Sequence, residues 1–170
     1  MQGQQDIEYT NITSLTDAGV GFLTTCAMLQ KEISQKKDML REFRLRGVEN
    51  TCVLQAVEMF LKVFLLKEGK RLDKLQTHKV YDLFKKLKPE TQQEFVGLVH
   101  GDGRQHLASL EPVLQDNNEK MIRLRYNDLN KSASLTFSNG DVLLHFAQVM
   151  CNKLGEKIVI DDQEWSWYKK

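Results

Sequence analysis

The sequence predicts an all-α protein: an up-and-down bundle of about five to six helices in one domain, residues 1–170. Three observations carry this. Apolar residues recur at steps of three and four along most of the chain, the spacing of one helix face. Two prolines among 170 residues leave room for long helices, because proline breaks helix interiors. Residues 52–67 are apolar around most of a helical circumference, which marks a helix buried at the centre of a bundle.

The elements follow in order. Residues 1–14 are polar and predict a loose lead-in. Phe22, Cys26, Leu29, Ile33, Leu40 and Phe43 form one stripe that skips Lys36, so a first helix is expected from residue 16 or 17 to residue 46. Gly47 is its natural stop, with Arg44 and Arg46 in the last turn, where cations suit the helix dipole. An Asn50 or Thr51 cap opens the central helix, and Gly69 ends it. After a charged loop at 70–76, Thr77 caps a third helix bearing Val80, Leu83, Phe84 and Leu87, which stops at Pro89. Pro89 and Glu90 open a fourth, with Phe95, Leu98 and Val99 inside, and HGDGR at 100–104 is a turn. A fifth helix is expected over 105–122 with a bend near Pro112 and 116–118. The last carries Val142, Leu143, Phe146, Val149 and Met150 and ends at Gly155. In the C-terminal tail, 156–170, residues 157–160 are strand-like. Trp165, Trp167 and Tyr168 suit docking on a protein partner or on the chain's own domain.

Composition narrows the function classes. A net charge of +1 argues against a strongly basic nucleic-acid binder overall and leaves room for a local basic face. Cys26, Cys52 and Cys151 are odd in number, far apart and set among apolar residues, as in a reduced cytoplasmic protein. No CxxC pair and no Cys/His zinc spacing occurs, so no metal is expected. Residues 53–66 are too few to span a bilayer and carry Glu58 and Lys62. The polar opening MQGQQDIEYTN lacks a secretory design. No membrane segment and a cytoplasmic location are therefore expected.

Few motifs carry chemistry. Gly101-Asp-Gly103 has no preceding strand and no Gly-Lys-Ser/Thr, so it is not a phosphate loop, and no cofactor is implied. His100, Asp102, Arg104 and His106 fit a solvated turn. Glu58 and Lys62, four apart, pair along the helix, either in a polar pocket or on a narrow exposed stripe. Arg71 and His78 flank six residues. A histidine that exchanges protons near neutral pH and an arginine that grips phosphate could cleave RNA without a metal. Alternatively, His78 packs at the start of the third helix and Arg71 is solvated. Arg123, Arg125 and Tyr126 can hold phosphate and stack on a base, or form a helix end with a packed tyrosine.

Three of these pieces, in this order, resemble the HEPN superfamily (higher eukaryotes and prokaryotes nucleotide-binding domains). They are the apolar helix with acid and lysine four apart, LQAVEMFLKVFLLKEG at 54–69; the histidine-led THKVYDLFKKL at 77–87; and Arg125-Tyr126. The resemblance covers about 50–154. It implies an up-and-down bundle, frequent homodimers, and RNA cleavage or RNA and nucleotide binding, often in bacterial defence, toxin–antitoxin and stress systems. It assigns Arg71 and His78 as a metal-independent catalytic pair. Glu58, Lys62, Arg123, Arg125 and Tyr126 would bind the nucleotide or RNA. Nuclease members carry Arg-x(4–6)-His nearer the later helices, whereas His78 leads the helix after the hairpin loop. Two other functions stay open: a non-catalytic dimerisation or partner-docking module using the aromatic tail, and a nucleotide sensor with a pocket near Glu58, Lys62 and His78.

Overall fold

Two long helices set the frame of the computed structural model, which describes residues 2–35, 39–101, 108–118 and 139–165. They are α1 (Gln2–Ser34) and α2 (Met39–Lys67). A 3-10 turn (Leu72–Lys74), α3 (Val80–Phe84), α4 (Pro89–His100), α5 (Leu110–Asn117) and α6 (Gly140–Lys153) follow. A short antiparallel hairpin, β1 (Val159–Ile160) with β2 (Gln163–Glu164), closes the described chain. The protein is an all-α bundle, with six α-helices among the described residues.

The α1–α2 boundary corrects the sequence reading twice. The first helix starts at Gln2, in place of a loose lead-in, and ends at Ser34 rather than residue 46. Gly47 lies inside α2. A glycine in a helix interior costs only about 1 kcal/mol relative to alanine, which the burial of a long apolar helix outweighs. The first helix ends at Ser34 and the second starts at Met39. Leu40 therefore belongs to α2.

Rising numbers on α1 meet falling numbers on α2, so the pair is antiparallel. Gly19 faces Phe60, and Cys26 faces Glu49. A methyl on Gly19 would lie 2.5 Å from the Phe60 ring, so only glycine lets the helices approach this closely. Leu23, Cys26, Ala27 and Ile33 form the buried stripe of α1. One membrane expectation changes here. Thr10–Ser34 is, by length and composition alone, long and apolar enough to cross a bilayer, although part of it packs against α2. The sequence reading had weighed only residues 53–66.

Helix α2 is the central helix, as its composition predicts. Val53, Leu54, Ala56, Val57, Phe60, Leu61, Val63, Leu65 and Leu66 are all buried, and α1, α3 and α6 surround it. Edge-to-face rings tie the bundle together. Phe64 meets Phe95 at 5.0 Å, Phe95 meets Phe146 at 5.4 Å, and Phe146 meets Phe84 at 6.0 Å.

Helix α2 ends in a Schellman turn. Gly69 has φ +82°, Gly69 N–H donates to Leu66 O, and Lys70 N–H donates to Leu65 O. The next residue inward, Glu68, accepts from Lys88 N–H and the Thr91 hydroxyl, so the end of α2 caps the start of α4. Helix α3 is shorter than expected and stops at Phe84, yet Leu87 still reaches the core. In the tail, Asp161 and Asp162 turn the hairpin with φ of 50° and 62°. Trp165 packs against the core, and its N–H donates to Ile158 O. It therefore docks on its own domain; Trp167 and Tyr168 lie outside the described residues.

Candidate functional site: a histidine held on a buried carboxylate

Glu58 projects from the middle of α2 and has no solvent exposure. Lys62 is one turn further on, where side chains meet along a helix. Its Nζ donates to Glu58 Oε1 at 2.7 Å, and the lysine is also buried. The pair is thus buried, and the exposed-stripe alternative is excluded.

His78 arrives from a separate stretch of chain. Leu75 and Val80, both buried, pin the segment between the 3-10 turn and α3. The Thr77 hydroxyl accepts from Lys79 N–H at 3.1 Å, so Thr77 stabilises this approach, while Lys79 occupies the cap position. At the far end, the Asn118 carbonyl oxygen accepts from Tyr81 N–H and its amide donates to Asp82. The imidazole so positioned places Nδ1 2.9 Å from Glu58 Oε1, the same oxygen that receives Lys62. Its side chain is 29 % exposed, so the ring bridges a buried carboxylate and the surface. With Glu58 ionised, Nδ1 carries the hydrogen and donates it. A carboxylate in that position orients the ring and stabilises an imidazolium, which is the support a general acid or base requires.

The structure therefore brings Glu58, Lys62 and His78 together. It does not bring Arg71 to them. The Arg71 guanidinium, 75 % exposed, forms a two-point pair with Asp73 at 3.1 and 3.3 Å. Arg123, Arg125 and Tyr126 lie outside the described residues, as do Asp102, Arg104 and His106. His100 has a structural role: its Nε2 accepts from Leu110 N–H at the start of α5. Among the described residues no group of His, Cys, Asp and Glu could hold a metal ion.

One feature of the surroundings escaped the sequence reading. Residues 67–88 carry eight lysines and arginines against three acids, in a chain whose net charge is only +1. Seven of the eight, all but Lys79, are exposed. Lys86 Nζ donates to Lys74 O, which folds the two arms of this segment together with His78 in the chain between them. A windowed charge count would have found the cluster.

A second buried carboxylate, Glu49, lies nearer the start of α2. Gln30 Nε2 donates to its Oε1 at 2.7 Å, and Arg46 stands 3.8 Å from Oε2. Burial pushes this carboxyl above its ordinary range, and the Gln30 bond and the Arg46 charge offset that only in part. Compared with models of protein families, with curated proteins and with solved structures, the chain matches none.

Proposed function

We propose that the chain is a HEPN-like domain that binds RNA or nucleotide phosphate over His78, acting as a cytoplasmic homodimer in a bacterial defence or stress setting. One observation carries the reading: a partly exposed histidine, fixed on a buried Glu58–Lys62 pair, lies within the most basic stretch of the chain. Clustered exposed lysines supply the sequence-independent attraction that phosphate backbones require. A buried ion pair that reaches across to a surface histidine has a positioning use that an apolar replacement would lack.

Cleavage is the stronger form of the same reading. There His78 moves the proton, and Arg71 steadies the phosphate. The Arg71–Asp73 pair is exposed and so worth no more than about 1 kcal/mol, which a phosphate can displace. Neither form requires a cofactor.

The test is fluorescence anisotropy with a labelled single-stranded RNA at low and moderate salt, run beside a gel assay for cleavage. Binding should weaken steeply with salt, and the double variant Lys85→Glu/Lys86→Glu should bind at least about tenfold more weakly. His78→Ala should abolish any cleavage. Absence of binding at low salt by the folded wild type would sink the reading.

A further inference from the structure

The α1–α2 seam holds chemistry that the proposed site does not use. Cys26 projects from α1 and is fully buried, and its thiol donates to Glu49 O on α2 at 3.5 Å. Cys52 stands three residues beyond Glu49 on the same helix, so the two share a face, and side chains there lean back toward the helix start. Both side chains therefore meet at the same place on the seam, and the two thiols are neighbours. Cys52 is only half-buried, so solvent reaches one member of the pair.

We propose that Cys26 and Cys52 are a reactive thiol pair that a hydroperoxide closes into a disulfide, stapling α1 to α2. The steps balance. The Cys52 thiolate attacks one peroxide oxygen; the O–O bond breaks, Cys52 becomes a sulfenic acid, and the leaving hydroxide takes up a proton to form water. The Cys26 sulfur then attacks the Cys52 sulfur. The S–O bond breaks, and hydroxide leaves with the Cys26 proton as a second water. Two thiols lose two electrons and two protons, and the peroxide is reduced.

The division of labour follows from the surroundings. The neighbouring Cys26 thiol lowers the Cys52 thiol to about 7, against burial and the Glu49 charge, which push the other way. Cys26 is itself pushed above the ordinary thiol range by Cys52 and by burial, so it stays a thiol while Cys52 is reduced, and oxidation of Cys52 removes the largest of those causes. Cys151 is an internal control, since burial pushes it up to about 11.

The experiment treats the full chain with hydrogen peroxide, blocks remaining thiols and reads the peptides by mass spectrometry without reduction. The expected product joins the Cys26 and Cys52 peptides and is lighter by two hydrogens. Cys151 is left alkylated, and dithiothreitol reverses the bond. Closing a loop of about 27 residues should raise Tm by roughly 5–15 °C. Cys26→Ser, its fold checked by circular dichroism, should leave Cys52 sulfenic acid that dimedone traps. A cross-link between chains, Cys52 sulfinic acid with no cross-link, or unreacted thiols in the wild type would overturn the proposal.

Discussion

Helix α2 buries two carboxylates nine residues apart, Glu49 and Glu58, and the bundle accommodates them in opposite ways. Glu58 receives a lysine and a histidine on a single oxygen, at 2.7 and 2.9 Å. Glu49 has one short bond, from a neutral glutamine, and an arginine held back at 3.8 Å. Desolvation acts on both. At Glu58 a lysine and a histidine face the buried carboxylate on one oxygen. At Glu49 burial still dominates, so the carboxyl is raised. The difference teaches where this fold commits charge. The committed carboxylate is the one that holds a surface-reaching histidine; the loosely served one lies beside a thiol pair.

The largest effect should come from Glu58→Leu. It leaves Lys62 buried without its acid and should cost about 3–5 kcal/mol in urea unfolding. Glu58→Leu/Lys62→Met should recover most of that loss; a double variant as unstable as the single one would mean that the pair is not the source. His78→Ala removes one charge-assisted bond and should cost about 1.5–3 kcal/mol. Gly19→Ala touches neither carboxylate but forces the Phe60 ring aside, and should cost about 1–3 kcal/mol by overpacking. An unchanged Tm there would show that the ring yields freely.

Glu49→Gln should have the smallest effect, and one that depends on pH. A carboxyl raised in the folded state holds its proton above the ordinary value of 4.5. Its contribution is complete below that value and is lost as pH rises through the folded pKa. Wild type should therefore lose stability relative to Glu49→Gln as pH rises above about 4.5. Parallel stability curves for the two proteins would show that burial does not raise the Glu49 carboxyl.

Much of the bundle was legible in local pattern. The all-round apolar character of residues 52–67 predicted the buried core of α2, Gly69 predicted its end, and Pro89 the start of α4. Gly47 misled, because a glycine's cost is small beside tertiary burial. The length of α1 and its start at Gln2 were hidden by polar residues that still form helix. At the site, spacing alone could bring Glu58 and Lys62 together, since one turn of helix separates them. Spacing likewise suggested Arg71 with His78, and here the fold differed: Arg71 turned to Asp73, two residues away, while His78 crossed to α2.

The chain's own pattern therefore determined the class of fold, the buried helix, the end of α2 at Gly69, the start of α4 at Pro89 and the presence of an acid–lysine pair. These depend on periods of three and four and on single breaker residues, all local in sequence. Tertiary structure alone decided that the pair is buried, that His78 shares its oxygen and that Cys26 meets Cys52. Each of those is a contact between segments 20 or more residues apart, set by how α1 and the 75–80 segment pack on α2, and no local period encodes it.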